Sequence, residues 1–209
     1  MKKHIHLFLF VLIILSCKSE GFLYDIVIKN GIIYDGTGNK SYKGNIAIKG
    51  DKIAYLGKNN NLNGEKIINA KGKAISPGFI NMLSWGYNSL LKDGRSISDL
   101  KQGVTLEVFG EGTSPGPKGN PGEDKYLSFF NSMDSLVKKG VSTNVASFIG
   151  AATLRINSIG YENREVTSQE LDQMKQSVEK AMKEGAMGIG SSLIYAPGDY
   201  ASTNELIEV

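Results

Sequence analysis

From residue 22 to residue 76, apolar and polar residues alternate in short stretches separated by glycine, asparagine and aspartate. Alternation with a period of two is typical of half-buried β-strands, and the intervening residues are those that favour turns. Residues 24–28 precede the pair Asn30-Gly31, which predicts a two-residue hairpin turn with residues 32–34 as the return strand. Several short strands joined by turns predict a small β-sandwich over residues 22–76. The further predicted strands are 45–48, 52–56, 66–68 and 73–75.

From Pro77 onward, short apolar stretches alternate with segments that have helical periodicity. A capping box of Thr167 and Glu170 begins the best-defined helix, and Gly185 ends it. Strand–helix alternation predicts a parallel α/β sheet. Four strands in roughly 130 residues are half of a (β/α)8 barrel of about 250 residues, so we expect 77–209 to be the first half of such a TIM-type barrel, truncated after about four units. The predicted strands are 79–83, 104–109, 142–149 and 187–190, and the other helices 97–102, 124–139 and one beginning at 202.

The first residues have the features of an export signal. Lys2 and Lys3 precede an almost wholly apolar run over 5–15. This run is shorter than the roughly 20 residues of a bilayer span and fits a signal peptide. The sequence ILSC that ends at Cys17 resembles a bacterial lipobox, although an ordinary signal peptide with a chance cysteine is the alternative. We expect a signal peptide over 1–17, lipidation of Cys17, a tether over 18–21, and anchoring to a bacterial membrane in the cell envelope, facing the periplasm or the outer membrane.

Composition excludes several classes of protein. Apolar residues make up 41% and charged residues 22%, which excludes a disordered, collagen-like or coiled-coil chain. The net charge of +3 falls to +1 without Lys2 and Lys3, so the sequence does not indicate a nucleic-acid partner. One cysteine cannot form an intrachain disulfide. His4 and His6 are the only histidines and lie in the predicted signal peptide, so Ser/His/Asp and Cys/His catalytic systems are excluded from the mature chain.

Six motifs then occur in the order known from the amidohydrolase superfamily. Together they resemble the branch of N-acyl-D-amino-acid deacylases, or D-aminoacylases. They are YDIVIKNG at 24–31, DGTG at 35–38, GDKIA at 50–54, AISPGFI at 74–80, GAMG at 185–188 and SSLIYAPGDYA at 191–201. The resemblance implies a small β-sandwich on a metal-dependent barrel. It also implies hydrolysis of the non-peptide C–N bond of an N-acyl amino acid or similar small molecule.

The same resemblance implies zinc as the cofactor. Zinc lowers the pKa of its bound water towards about 7, and the resulting hydroxide attacks the amide carbonyl. Histidine, carboxylate or thiolate ligands hold the metal at the carboxyl ends of the barrel strands.

The sequence departs from the family at its metal-binding positions. The family's Asp-x-His-x-His after the first barrel strand is replaced by NMLSW at 81–85, with Leu83 and Trp85 in place of the histidines. Glu111 falls one place from the family's bridging cysteine, and GAATLR at 150–155 lacks the family's imidazole. Two further histidines and a catalytic aspartate belong to later strands of the family. We therefore assign no catalytic residue in this span and expect the 209-residue chain alone to bind no stoichiometric zinc and to show no deacylase activity.

Four residues are candidates for substrate binding. Glu111 lies between two glycines after a strand end and is a possible metal ligand or substrate contact; the alternative is a solvated loop carboxylate. Arg155 has the fork geometry that suits a substrate carboxylate, or it forms a surface ion pair. Ser191 and Tyr195 follow the fourth strand and either line the pocket or pack in a loop. Glu107 is expected to face a helix or pair with lysine or arginine.

Three interpretations remain at this point. The chain is the N-terminal portion of an amidohydrolase, or a non-catalytic lipoprotein pseudoenzyme that binds an amide or peptide-like ligand, or an inactive truncated fragment. Two strand-end histidines and an aspartate after residue 209 would favour catalysis with one metal.

Overall fold

The computed structural model describes residues 23–209, which divide into two compact units, one ending at Pro77 and the other beginning at Gly78. The predicted signal peptide, Cys17 and the tether lie outside the described residues. Between residues 23 and 209 no helix is long and apolar enough to cross a membrane.

The N-terminal unit is built on one mixed β-sheet. The strands are β1 Tyr24–Ile33, β2 Tyr42–Lys49, β3 Lys52–Gly57, β4 Gly64–Asn69 and β5 Ala74–Ile75. The first four lie in the order β3-β2-β1-β4, and β5 pairs with β1 as well. The pairs β1–β2 and β2–β3 are antiparallel, whereas β4 and β5 run parallel to β1. Val27, Ala47 and Leu62 form the buried apolar cluster of this unit.

The predicted hairpin at Asn30-Gly31 is wrong, because β1 continues through both residues. The register with β2 shifts between Ile28 and Gly31, and Asn30 has a φ of 66°. The backbone N–H of Asn30 donates to Oδ1 of Asn45 at 2.8 Å, which replaces the missing ladder bond. Asparagine tolerates positive φ in a bulge as readily as in a tight turn. The pair Asn30-Gly31 therefore marks an irregular backbone position, which is a shift in strand register and not a hairpin turn.

The C-terminal unit is α/β, as predicted, and all its described strand pairs are parallel. β6 Phe79–Asn81, β7 Val104–Phe109 and β8 Asn144–Ser147 form one sheet in that order. β9 Ile149–Gly150 begins one residue after β8 and pairs with β10 Ile189–Gly190. Consecutive parallel strands require crossovers, and these crossovers contain the helices.

Six α-helices follow the strands of this unit. The predicted capping box is confirmed at the start of the helix Ser168–Lys183: Oγ1 of Thr167 accepts from the Glu170 N–H at 3.3 Å, and the Glu170 carboxylate accepts from the Thr167 N–H at 2.7 Å. One apolar cluster joins Leu90, Phe109 and Leu136, and a second surrounds Ile149. The helices are α1 Tyr87–Lys92, α2 Ile97–Lys101, α3 Phe129–Lys139, α4 Ala151–Ile159, α5 Ser168–Lys183 and α6 Thr203–Glu208, with a 3-10 turn at Gly198–Tyr200.

Candidate functional site

A cavity of about 160 Å³ opens at the carboxyl ends of β6 and β7. Its walls come from the turn after β6, the start of α1 and the long loop after β7. Parallel α/β folds place their ligand sites at this end of the strands. The lining residues are Ser84, Trp85, Tyr87, Asn88, Phe109, Gly110, Glu111, Thr113, Ser114, Pro115 and Lys118.

A second cavity of about 90 Å³ adjoins the first and shares Trp85, Glu111 and Thr113 with it. Tyr195 lines this second cavity, so the structure brings Glu111 and Tyr195 together. Ser191 is exposed and lines neither cavity, whereas its neighbour Ser192 does. Trp85 and Glu111 therefore stand where the two cavities meet.

The turn that presents Trp85 is fixed by hydrogen bonds on both sides. The Ser84 N–H donates to the Val108 carbonyl at 2.9 Å, and its hydroxyl donates to Glu107 at 2.7 Å. The same hydroxyl accepts from the Gly86 N–H at 3.1 Å. A Cβ at Gly86 would lie 2.6 Å from Oε2 of Glu107, so only glycine fits this close approach. Trp85 itself is 61% exposed.

Glu107 is buried, with 2% of its surface exposed, and its neighbours are hydroxyl groups. Ser84, Ser96 and Thr143 donate to its two carboxylate oxygens at 2.7, 3.4 and 2.9 Å. Of the two alternatives, a helix or a cationic partner, the structure favours the first. Glu107 lines a pocket with residues of α1 and α2, and within residues 23–209 it forms no ion pair.

Arg155 lies in the interior, away from both cavities, with 1% of its surface exposed. Its Nη1 forms an ion pair with Glu205 of α6, and its Nη2 donates to the Arg164 carbonyl at 2.9 Å. The predicted role of Arg155 was to bind a substrate carboxylate, but Arg155 lines neither cavity and its Nη1 and Nη2 atoms are directed to these partners. The alternative, a surface ion pair, is right about the ion pair but wrong about its position, because the pair is buried.

Sequence reasoning missed Lys118, which lines the first cavity and is the one cationic residue among those that line either of these two cavities. Its backbone pairs with Leu127 through two hydrogen bonds, of 2.9 and 3.0 Å. The side-chain amide of Asn157 donates to the Pro117 carbonyl at 3.1 Å and accepts from the Gly119 N–H at 3.2 Å. The sequence feature that could have identified Lys118 is its position in a proline- and glycine-rich loop directly after a strand.

The described residues do not fit a zinc centre. Among residues 23–209 there is no group of three or more histidine, cysteine, aspartate or glutamate side chains that could hold a metal. Glu111 is the single carboxylate lining these cavities, and Leu83 and Trp85 carry no ligand atom. A catalytic zinc needs about three protein ligands. We therefore assign no chemical step to a metal held by these residues.

Comparison with known proteins gives consistent matches, although no family model matches the chain. D-aminoacylase from Alcaligenes xylosoxydans xylosoxydans is 28% identical over 205 residues, which cover 92% of this chain and 42% of that protein. N-acyl-D-aspartate deacylase from the same organism is 28% identical over 198 residues, covering 88% and 40%. The chain thus spans less than half the length of these relatives.

Solved structures agree. A crystal structure of D-aminoacylase, described as defining a novel subset of amidohydrolases, superimposes with a TM-score of 0.80 at 29% identity, covering 88% of this chain and 42% of that one. N-acyl-D-glutamate deacylase from Bordetella bronchiseptica, solved with zinc and a phosphonate inhibitor, gives 0.79 at 26% identity, covering 90% and 42%. The resemblance read from the motifs is therefore confirmed: over most of its length this chain is homologous to the N-acyl-D-amino-acid deacylases and shares their amidohydrolase fold.

Proposed function

We propose that this protein is an amidohydrolase-type enzyme that hydrolyses the C–N bond of an N-acyl amino acid. The observation that carries the proposal is the match to D-aminoacylase in both sequence and fold over nearly the whole described chain. The cavity at the carboxyl ends of β6 and β7 supports it, because ligands bind there in this class of fold.

The fold proposal follows from the order of the strands. We propose that residues 77–209 form the first half of a (β/α)8 barrel and that residues 22–76 form part of a small β-sandwich. Parallel strands that follow one another in space as they do along the chain support the first statement. The five-stranded sheet of the N-terminal unit supports the second as one layer of the sandwich.

In this proposal, the described residues bind and orient the substrate. Glu111 and Tyr195 contact it at the junction of the two cavities, and Trp85 forms an apolar wall. Ser191 is exposed and precedes Ser192, which lines the second cavity, and we propose that Ser191 also contacts the substrate. Hydrolysis adds water across the amide and releases a carboxylic acid and an amine. Zinc supplies the activated water in the family when bound, and the described residues do not hold it.

An assay of the whole protein tests the proposal directly. N-acetyl derivatives of D-glutamate, D-aspartate and D-leucine are incubated with the protein, and the released amino acid is measured by chiral chromatography beside the metal content. We expect release from at least one D-substrate and a drop in kcat/KM of about tenfold or more for Glu111→Gln. Glu165→Gln, an exposed matched control, should leave kcat/KM unchanged. No release from any substrate would overturn the proposal.

A second candidate function is binding without catalysis. The presence of Leu83 and Trp85 in place of the first-strand histidines favours it. In this case, calorimetry would detect binding of an N-acyl amino acid while the assay gives no product and the protein contains no stoichiometric metal.

We also propose that the protein is anchored in the bacterial cell envelope through a lipid on Cys17. The lipobox-like order ILSC supports this location. Radiolabelled palmitate should be incorporated by the native sequence and by Ser19→Ala but lost in Cys17→Ser. Incorporation that persists in Cys17→Ser would contradict the anchor.

A further inference from the structure

We propose that Lys118 binds the carboxylate of the ligand in the cavity beside Trp85, while Glu111 accepts a hydrogen bond from the ligand's amide N–H. This inference rests on the proposed function, since it states how an N-acyl amino acid is held in that site. It assigns a specificity-determining role to a side chain of the loop between β7 and α3.

The loop holds Lys118 in a defined place before any ligand arrives. Its N–H and carbonyl both pair with Leu127, which closes a small antiparallel bridge. Asn157 of α4 holds the peptide groups on both sides, bonding to Pro117 and Gly119. A residue held in this way loses little backbone freedom on binding, which favours affinity.

The charges of the cavity select the ligand. Lys118 and Glu111 are the two charged residues among those that line it. Neither forms an ion pair within residues 23–209, so both remain available to a ligand. A molecule that carries a carboxylate and an N–H donor complements this pair.

Three aromatic residues, Trp85, Tyr87 and Phe109, form part of the remaining wall. The rings of Tyr87 and Phe109 meet edge to face with centroids 6.1 Å apart. The Tyr87 hydroxyl already donates to the Ser132 carbonyl at 2.9 Å, so this phenol has its hydroxyl proton engaged. Trp85 adds a further apolar surface at the mouth. The ligand class that fits is therefore a small secondary amide with a free carboxylate and an apolar group.

The test compares two ligands that differ in the carboxylate alone. Trp85 is the single tryptophan of the chain, so its fluorescence reports on this site. The full chain is titrated with N-acetyl-D-leucine and with N-acetyl-D-leucinamide. We expect Lys118→Met to weaken binding of the carboxylate about fivefold, as for a partly exposed ion pair, and to leave the amide unaffected. Lys118→Arg should restore carboxylate binding, and Lys125→Met in the same loop is the matched control.

Glu111→Gln separates the two halves of the proposal, because both probes carry the acyl amide N–H. We expect it to weaken both probes equally. Equal affinity of Lys118→Met and wild type for the carboxylate, or an equal loss for both probes, would overturn the role of Lys118. Absence of binding to both probes by wild type would instead contradict the proposed function, and the role of Lys118 with it.

Discussion

Glu107 shows how a buried carboxyl group can shape a site through its hydrogen bonds. A polar group is costly to bury unless hydrogen bonds replace its water. Three hydroxyls do so here, and the one from Ser84 also accepts from the Gly86 N–H. Glu107 is therefore linked by hydrogen bonds to the turn that carries Trp85. We interpret Ser84 as a positioning residue for Trp85.

Removing the Ser84 hydroxyl should loosen Trp85 specifically. In Ser84→Ala, we expect the subnanosecond amplitude of the Trp85 fluorescence anisotropy decay to rise about twofold, because local side-chain motion falls in this time range. Thr143→Ala removes another donor to the same carboxylate but does not touch the turn. That control should keep the wild-type decay, and Ser84→Thr should restore it. An equal change in Thr143→Ala would show that the effect is a general loss of packing.

The ion pair between Arg155 and Glu205 makes a prediction about stability. Both side chains are almost fully buried. Removing one partner strands the other charge in the interior, so Arg155→Met should lower the free energy of unfolding by about 3–5 kcal/mol. Urea unfolding measures this loss. The double variant Arg155→Met/Glu205→Leu should recover much of the stability, since an apolar pair can replace a buried ion pair.

The control for this experiment is the exposed pair Glu179–Lys183, in which both side chains are mostly in water. Lys183→Met should change the urea midpoint little, because exposed pairs contribute little to stability. If Arg155→Met behaved as Lys183→Met does, the interior position of Arg155 would be wrong.

At the scale of elements, local signals succeeded where they were specific to one geometry. The capping box at Thr167 has one structural meaning, and α5 begins there as predicted. The pair Asn30-Gly31 is compatible with two geometries, a hairpin turn and a bulge, and the pairing of β1 with β2 favours the bulge. The helix predicted from residue 124 begins instead at Phe129, because Leu127 pairs with Lys118 and Ser128 caps the helix.

Two helices escaped prediction for a physical reason. Tyr87–Lys92 has six residues, too few to display helical periodicity. The helix Ala151–Ile159 has Gly150 as its N-cap, which provides no side-chain cap, and most of its residues are buried. Its buried residues include the polar Thr153 and Arg155, so the helix lacks the single apolar stripe on which sequence prediction depends.

The start of α5 predicts a dependence of stability on pH. Hydrogen bonds from the Arg164 guanidinium, and then from the Thr167 N–H, lower the pKa of Glu170 from its usual 4.5 to about 2. A lowered pKa in the folded state means that this stabilisation is present above the usual value and is lost as the pH falls through the folded value. We expect the free energy of unfolding to decrease from about pH 4.5 to about pH 2.

Glu170→Gln should flatten that decrease, because the amide does not titrate. Urea unfolding at a series of pH values measures the slope, and Glu165→Gln, a nearby exposed carboxylate, should keep the wild-type slope. An unchanged slope in Glu170→Gln would contradict the assignment of the pH dependence to this group.

At the scale of the whole molecule, the location of the site could be predicted from the sequence, but the full set of residues that form it could not. Glu111 was predicted because it follows the end of a strand in a parallel sheet. That Tyr195 lies beside it depends on the pairing of Ile189 with Ile149. This pairing requires glycines, since a Cβ at Gly190 would lie 2.2 Å from the Gly110 carbonyl oxygen. Such approaches between distant segments leave no periodic trace in the sequence.

The parallel sheet also has edges that predict how the described chain behaves by itself. Within residues 78–209, β6 pairs with β7 alone and β10 with β9 alone, which leaves one side of each unpaired. Ile80 on β6 is 55% exposed, and neither β6 nor β10 carries a charged residue. Native sheets protect such edges by charge, cover or closure into a barrel. We therefore expect a chain produced without residues 1–22 to self-associate and to bind a hydrophobic dye.

Introducing a charge at that edge should suppress the association. Ile80→Lys places an ammonium on the open side of the sheet, where it opposes pairing with another copy. Sedimentation velocity across a concentration series should show a larger monomer fraction for Ile80→Lys than for wild type. Phe130→Lys adds the same charge at a residue of similar exposure, 53%, on the helix α3 and should leave the distribution unchanged. A wild-type chain that stays monomeric at every concentration and binds no dye would show that its edges are protected, and the inference of an incomplete barrel would then fail with it.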